Sequence, residues 1–306
     1  MTPGATVYVS AMASSLLRRL SDGVQALLPA RLRRARRPVV PVVRLQGVIG
    51  GASPFRAGLT LQACAGPLER AFETRDARAV ALIVNSPGGS AVQSHLIFRR
   101  VRALATEKKL PVLVFVEDAA ASGGYMIACA GDEIFVDPSS LVGSIGVVSA
   151  GFGLDRLIDR LGVERRVHTA GTRKAMLDPF RPEQPEDVAR LKGIQAKVQE
   201  TFVALVTRRR GARLRGEPGD LFSGMVWSGE EARELGLIDA VGDLRGVLRE
   251  RYGEEVRIKP IPLGGGSLLA RWTRRGGPVI GGDGPALVPD LVAALDERAA
   301  WARLGL

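Results

Sequence analysis

Residues 118–136 read DAAASGGYMIACAGDEIFV, in which a single serine, Ser122, stands between three alanines and two glycines. The apolar run VLVFVE at 112–117 leads into this stretch and predicts a buried strand. An apolar helical pattern follows over 122–130. A serine at a helix start is most often an N-cap. Because the small neighbours also leave the hydroxyl open to a substrate, the stretch predicts either a helix cap or a nucleophile.

Strands and helices alternate around this stretch. The alternation, with short turns, predicts an α/β layer architecture with much parallel pairing. Two helices around a turn are expected over 229–253. Buried strands are predicted at 42–49, 79–85, 112–117, 133–137 and 163–168, and helices at 59–75, 90–107, 153–161 and 184–209.

The chain divides into three parts. Residues 1–38 are a basic amphipathic segment, residues 39–253 the α/β domain, and residues 254–306 a glycine-rich connector followed by an amphipathic C-terminal helix over 286–304. Within the first part, residues 11–37 place leucines on one helical stripe surrounded by arginines. Such a segment lies on an anionic membrane surface or packs against its own domain or a partner, and the pattern alone does not separate these alternatives.

The composition narrows the choice of chemistry. The net charge of +11 suggests an acidic partner, although a genomic preference for arginine would also produce it. The basic run at 207–215 has no aromatic platform, so no nucleic-acid partner is expected. Only six of the 43 basic residues are lysines. Since arginine cannot lose its proton, a catalytic base must come from these lysines or from the two histidines.

The sequence contains little that indicates a metal site, a redox site or a membrane span. The two cysteines, Cys64 and Cys129, fit no metal or redox spacing, so no cofactor or metal is expected. No uncharged apolar stretch approaches the 18 or so residues of a membrane span. We therefore expect a cytoplasmic or peripherally membrane-associated protein with an uncleaved N-terminus.

Two further stretches carry candidate chemistry. NSPGGS at 85–90 follows a predicted strand and opens a helix, so its N–H groups point outward and suit an oxyanion, although an ordinary βα turn has the same pattern. GTRKAMLDPF at 171–180 places Lys174 in an apolar, proline-bounded segment. A lysine is normally a solvated charge. Burial beside apolar side chains would favour its neutral form, which can act as a base.

Four motifs together resemble the bacterial signal peptide peptidase A family of the SppA/SohB type. They are NSPGG at 85–89, ASGGYMIACAGDEIFVDPSSLVGSIGV at 121–147, GTRKA with DPF at 171–180, and GMVWSGEEARELGLIDAVG at 224–242. The resemblance covers about residues 39–250 and implies a ClpP/crotonase-like fold of stacked ββα units, here with N- and C-terminal helical extensions.

The same resemblance implies roles for individual residues. Ser122 matches the nucleophile of a serine–lysine dyad, Lys174 the general base, and Ser144 the hydroxyl that orients the lysine. Gly89 and Gly123 match the backbone donors of the oxyanion hole. The implied activity is that of a serine endopeptidase that cleaves signal peptides or other apolar, membrane-derived peptides. Half-length members of this family assemble into rings in which neighbouring subunits contribute the serine and the lysine.

Other interpretations remain open at this stage. Acyl-CoA chemistry on the related crotonase fold also uses paired backbone donors, and a non-catalytic membrane-associated scaffold needs none of them. A Ser-His-Asp site would require His95 or His168 beside Ser122. Family members typically have an N-terminal membrane span, whereas this sequence has the amphipathic segment 11–37. The family's usual location, on the periplasmic side of the inner membrane, is the alternative to the location expected above.

Overall fold

A computed structural model describes residues 37–50, 58–263 and 298–306 of the chain. Within these ranges one eight-stranded sheet forms the centre of the molecule. The strands are β1 (Val39–Gln46), β2 (Val80–Ser86), β3 (Val112–Ala121), β4 (Glu133–Val136), β5 (Leu141–Gly143), β6 (Val226–Ser228), β7 (Ala240–Val241) and β8 (Arg257–Ile261).

Strand β3 organises the sheet, whose order is β6-β5-β3-β2-β1-β8. The second edge of β3 is shared, because Leu113–Val116 pairs with β4 whereas Ala119–Ala121 pairs with β5. Between the two ladders the hydroxyl of Ser140 donates to the carbonyl oxygen of Glu117 at 2.5 Å. All ladders are parallel except the one between β5 and β6. The carboxyl ends of β2 and β3 therefore lie side by side.

Helices cover the sheet and begin where the sequence supplies caps. Thr60, Ser90 and Asp243 each accept an N-cap bond, and Ser228 forms a capping box with Glu231. A 3₁₀ turn spans Gly211–Arg213, and residues 298–302 are helical. The helices are α1 (Leu61–Phe72), α2 (Ala91–Lys108), α3 (Gly123–Ala128), α4 (Asp155–Arg160), α5 (Pro185–Arg210), α6 (Pro218–Leu221), α7 (Gly229–Glu234) and α8 (Leu244–Tyr252).

Both faces of the sheet are buried. Every residue of β2 is buried, as expected of a strand covered on both sides. Leu82 and Val84 belong to the large core cluster, which also contains residues of α1, α2, α3 and α5. Ile83 points the other way and packs in a smaller cluster with Leu248 of α8. This arrangement is the predicted ClpP/crotonase-like α/β fold, and most of the predicted strands and helices are confirmed.

Two predictions about the secondary structure are wrong. Residues 163–168 form no strand, and Val163 is 53% exposed, because this segment lies away from the sheet and finds no pairing partner. The connector predicted from residue 254 does not begin there, since Arg257–Ile261 pairs in parallel with β1 and extends the sheet. The basic N-terminal segment, most of the glycine-rich connector and most of the amphipathic stretch 286–304 lie outside the described residues.

Across 37–50, 58–263 and 298–306, no helix is both long enough and apolar enough to cross a membrane.

Candidate active site

Ser122 occupies a strained junction between β3 and α3. Its backbone adopts φ 51° and ψ −119°, a conformation that costs a non-glycine residue about 1–3 kcal/mol. Two hydrogen bonds hold it there, from the Ser122 N–H to the Gly143 carbonyl at 2.8 Å and from the Met126 N–H to the Ser122 carbonyl at 3.0 Å. Although Ser122 stands at the N-cap position, its side chain makes no capping hydrogen bond. The helix-cap interpretation is therefore wrong, and the partly buried hydroxyl is left for other chemistry.

The NSPGG turn lies directly against this serine. A Cβ built on Gly88 would lie 2.8 Å from the Cβ of Ser122. Ile49 fixes the turn on its other side, because its N–H donates to the Gly88 carbonyl and its carbonyl accepts from the Ser90 N–H, both at 2.8 Å. Gly89 lies between Gly88 and Ser90. Its N–H donates none of the backbone hydrogen bonds that join turns and loops within the described ranges.

Gly89 and Gly123 are glycines because other atoms occupy the space of a side chain. A Cβ on Gly89, whose φ is 136°, would lie 2.2 Å from the carbonyl oxygen of Ile49. A Cβ on Gly123 would lie 2.2 Å from the hydroxyl oxygen of Ser94. As the first residue of α3, Gly123 has no intrahelical acceptor for its N–H. The structure thus brings the two predicted oxyanion donors to the neighbourhood of Ser122.

Three polar side chains that the sequence analysis missed lock the turn to the sheet. The fully buried Ser86 donates to the Gly47 carbonyl at 2.7 Å and accepts from the Gly88 N–H at 3.2 Å. The Asn85 amide donates to Asp118 at 2.6 Å and accepts from the Ala119 N–H at 3.2 Å. The position of Asn85 and Ser86 at the start of the NSPGGS motif was the available signal.

Ser144 follows the strand that holds Ser122. It lies one residue after Gly143, has φ 51°, and donates its N–H to the Met225 carbonyl at 2.6 Å. Gly143 has φ 114°, and a Cβ on it would lie 2.7 Å from the indole ring of Trp227. Tight packing of β5 against β6 therefore fixes Ser144, which directly follows the strand paired with β3 and so lies beside the segment of the nucleophile.

Lys174 is not brought to Ser122 by its own chain. It lies in residues 147–184, here called the arm, in which not one residue is buried. Lys174 itself is exposed, and its backbone N–H donates to the Gly171 carbonyl at 3.2 Å. Within the described residues no hydrogen bond joins its amine to Ser122 or Ser144. The buried amine that the sequence predicted is thus absent from the isolated chain.

The arm also contains a large open groove of about 1660 Å³ between residues 149–156 and residues 172–187. Neither Ser122 nor Lys174 lines it. Beside the groove, Asp178 pairs with Arg165, but its Oδ2 is buried without a hydrogen-bond partner among the described residues. The groove is a feature of the arm rather than of the serine site.

Other potential nucleophiles and bases are poorly placed. Burial raises the pKa of Cys64 and that of Cys129 to about 12, so neither thiol forms a thiolate near neutral pH. Burial, followed by the charges of Arg99 and Arg208, lowers the pKa of His95, which stacks on Phe98. His168 is exposed. No hydrogen bond within the described part of the chain connects either histidine to Ser122.

Curated relatives have similar sequences over different shares of the chain. A protein of Brucella abortus named Na(+)/H(+) antiporter NhaA is 50% identical over 310 residues, which cover 96% of this chain but 41% of that protein. The chloroplastic serine protease SPPA of Arabidopsis thaliana is 35% identical over 56% of this chain and 25% of its own length. The putative signal peptide peptidase SppA of Enterococcus faecium is 31% identical over 57% of this chain and 50% of its own length.

The chain thus spans a quarter to a half of the length of these relatives. A match to a family model gives more direct evidence of the family than these partial matches do. The family model of peptidase family S49 matches residues 104–256, half of the chain, and the matched range contains Ser122, Ser144 and Lys174. With the ClpP/crotonase-like sheet and the strained serine described above, this match establishes that the chain belongs to peptidase family S49.

Proposed function

We propose that this chain is a serine endopeptidase in which Ser122 is the nucleophile and Lys174 the general base. The observation that carries the proposal is the geometry of Ser122. Its hydroxyl makes no capping bond, and the residue is held in a strained conformation against the Gly88–Gly89 turn. Strain of this kind persists only where the surroundings impose it, and it is concentrated at functional sites.

The chemistry follows from these groups. The Ser122 oxygen attacks the peptide carbonyl carbon while its proton passes to the neutral amine of Lys174. The N–H groups of Gly89 and Gly123 donate to the oxyanion that forms, an effect worth about 3–4 kcal/mol for a single donor. The resulting ammonium returns its proton to the leaving amine, and the C–N bond breaks. Water then attacks the acyl-enzyme and loses a proton to Lys174, which passes it to the Ser122 oxygen as the C–O bond breaks, so that the peptide acid, the free serine and the neutral amine are restored.

Because Lys174 is exposed and apart from the serine of its own chain, we infer that the arm delivers it by packing against another copy of the chain. The arm exposes large apolar side chains, among them Phe152 at 85% and Val148 at 70%. Its helix α4 has no buried residue, so the arm has no core of its own. Burial of such surfaces drives association. The arm therefore packs on a neighbouring copy and delivers Lys174 to that copy's Ser122 in a closed homo-oligomer, with Ser144 orienting the amine.

The substrates are apolar peptides, including remnants of signal peptides. Two exposed apolar residues belong to segments that adjoin the site, namely Val92, which follows the NSPGGS motif in α2, and Met225, whose carbonyl accepts the N–H of Ser144. Their exposure, 66% and 55%, provides apolar surface where a peptide would lie. One relative is named a putative signal peptide peptidase SppA, and another a serine protease SPPA. The Brucella relative, named an antiporter, carries a sequence similar to almost all of this chain within a longer protein, which supports work close to a membrane.

A phosphonate probe tests the proposal. A fluorophosphonate should label Ser122 in the wild-type protein, and Ser122→Ala should abolish both the label and the cleavage of a fluorescent signal peptide. Lys174→Ala should react at least about 100-fold more slowly, because nothing then accepts the proton of the hydroxyl. An acyl-CoA enzyme or a non-catalytic scaffold would leave Ser122 unlabelled and the peptide intact, and would refute the proposal.

A further inference from the structure

Helix α3, which directly follows Ser122, ends against two arginines. The Nε of Arg209 donates to the Cys129 carbonyl at 2.8 Å, and its Nη2 donates to the Gly131 carbonyl at 2.7 Å. Arg102 donates to the carbonyl between them, that of Ala130, at 3.0 Å. Cations stabilise the carboxyl end of a helix because its last carbonyls lack intrahelical donors. Three successive carbonyls behind α3 are thus bound by two guanidinium groups.

Asp132 joins the two arginines and ties them to the strand before Ser122. Its Oδ1 lies 2.7 Å from Arg102 Nη1 and 3.2 Å from Arg209 Nη2. Its Oδ2 accepts the N–H of Val112, the first residue of β3, at 2.9 Å. The cluster Arg102–Asp132–Arg209, here called the clamp, therefore connects the start of β3 with the end of α3. These are the two outer ends of the strand–serine–helix unit.

The clamp also connects this unit with the arm. Arg209 lies in the last turn of α5, a helix of 26 residues and thus about 39 Å long. The buried residues of α5 are Phe202, Leu205, Val206 and Arg210, so only its carboxyl end is anchored in the body. The opposite end begins at Pro185 and continues from the arm that carries Lys174. A single helix therefore runs from the segment bearing the base to the end of the helix bearing the nucleophile.

We propose that Arg209 is a positioning residue that aligns Ser122 and the Gly123 N–H by fixing the carboxyl end of α3, and that α5 couples this alignment to the seating of the arm. Helix α3 has six residues and no side-chain N-cap bond, so it has little stability of its own. The strained backbone of Ser122 must therefore be imposed from outside the helix, and the clamp supplies two charged contacts for this. The proposal rests on the function proposed above.

The chain offers a matched control for Arg209. Arg208 is its neighbour on α5 but is exposed and forms no ion pair with any described residue. The test compares Arg209→Gln, Arg209→Lys and Arg208→Gln in the assembled protein. For each variant we would measure the rate of fluorophosphonate labelling of Ser122, kcat and KM for a fluorescent signal peptide, and the melting temperature.

We expect Arg209→Gln to lower both the labelling rate and kcat by about 10- to 100-fold while KM stays within about twofold, since small misplacements of reacting groups have effects of this size. Arg209→Lys, which keeps the charge but loses one of the paired contacts, should recover part of the loss. Arg208→Gln should match the wild type. The labelling rate measures the reactivity of Ser122 directly, so a change in peptide binding alone does not alter that rate.

Two results would overturn the positioning role. One is an unchanged labelling rate in Arg209→Gln. The other is a loss that merely follows the unfolded fraction at the assay temperature and vanishes when the assay is cooled. A wild-type protein that does not react with the probe would instead refute the proposed function, so the two failures are distinguishable.

Discussion

The backbone N–H of Ser122 donates a 2.8 Å hydrogen bond to the carbonyl oxygen of Gly143. This bond joins the proposed nucleophile to the residue immediately before Ser144, the proposed orienting hydroxyl. The relative positions of the two hydroxyl groups therefore depend on a backbone contact between neighbouring strands β3 and β5. Both serines have φ 51°, so the site depends on two strained residues, of which Ser122 is bound to Gly143 and Ser144 to the Met225 carbonyl before β6.

Gly143→Ala tests this dependence. The new Cβ would lie 2.7 Å from the Trp227 ring at a residue whose φ is 114°, so β5 must shift and carry Ser144 with it. We expect kcat to fall by about 10- to 100-fold, because 1 Å displacements have effects of this size. Peptide cleavage and the rate of Ser122 labelling measure the change.

Gly219→Ala is the control for this variant. A Cβ there meets nothing within 4 Å, and the residue lies in α6, outside both the arm and the serine site. It should retain wild-type activity. A fully active Gly143→Ala protein would mean that Ser144 need not be held by β5.

Mixing two inactive variants tests whether the dyad is shared between copies. Ser122→Ala and Lys174→Ala should each be inactive alone. If they are mixed under conditions that allow subunit exchange, each neighbouring pair with an intact serine on one copy and an intact lysine on the other is active. Random assembly gives about a quarter of the sites this composition in a closed ring. Peptide cleavage before and after exchange measures the recovery.

The control is the double variant Ser122→Ala/Lys174→Ala mixed with the wild type. Its peptide-cleavage activity shows how subunit exchange alone changes the activity. No recovery with the two single variants, despite exchange shown by labelled subunits, would place both residues of the dyad in one copy. The exposed Lys174 would then have to reach Ser122 by a movement of the arm.

The activity should rise with pH. Only a neutral amine accepts the serine proton, and raising the pH removes protons from amines, so the reactive fraction of the enzyme increases with pH. We expect kcat to rise from pH 6 to pH 9 when acylation limits the rate. His95→Gln and His168→Gln should retain this profile. A flat profile, or an inactive His168→Gln protein, would contradict a lysine base.

The sequence predicted the local parts of this site better than the long-range ones. NSPGG and ASGG identified the turn and the strained serine, because close backbone approach requires glycine at Gly89 and Gly123. The same local patterns predicted strand β2 and helix α5. In contrast, Val163 suggested a strand that does not form, since pairing depends on neighbours that a local pattern does not contain. The contacts of Arg209 with the end of α3 could not be predicted from local patterns either, because they join residues that are 78 and 80 positions apart in the sequence.

Acid should weaken the arm. The hydrogen bond from Arg165 is the main cause that holds the pKa of Asp178 below its ordinary value of 3.8. A carboxylate with a lowered pKa in the folded state stabilises that state above its unfolded pKa and loses this contribution as the pH falls through the folded value. The hydrogen-exchange protection of residues 165–181, measured relative to the intrinsic exchange rate at each pH, should therefore decrease below about pH 4.

Asp178→Asn should produce the same loosening at neutral pH. The control is Glu164→Gln, which removes an exposed pair with Arg166 that contributes little to stability. Equal exchange rates in Asp178→Asn and the wild type at pH 7 would show that this carboxylate does not hold the arm.

Gly193 offers a way to change the stiffness of α5 without touching the site. It lies inside the exposed half of the helix, and a Cβ built there meets nothing within 4 Å. Gly193→Ala should therefore stabilise the helix by about 0.5–1 kcal/mol and leave kcat unchanged or higher. Gly193→Pro removes a helical hydrogen bond and kinks the helix, at a cost of about 3 kcal/mol. Because the arm then leaves the body at a different angle, Lys174 is displaced and peptide cleavage should fall at least about 10-fold.

The body and the clamp should survive the proline, since the anchored residues Phe202 to Arg210 lie beyond the kink. A cooperative melting transition well above the assay temperature, together with intact α3 protection in hydrogen exchange, would establish that the loss arises from the arm. A Gly193→Pro protein that cleaves peptide at the wild-type rate would instead mean that the arm is positioned by its own contacts alone. In that case α5 would be a tether, and the coupling between the clamp and Lys174 would be refuted.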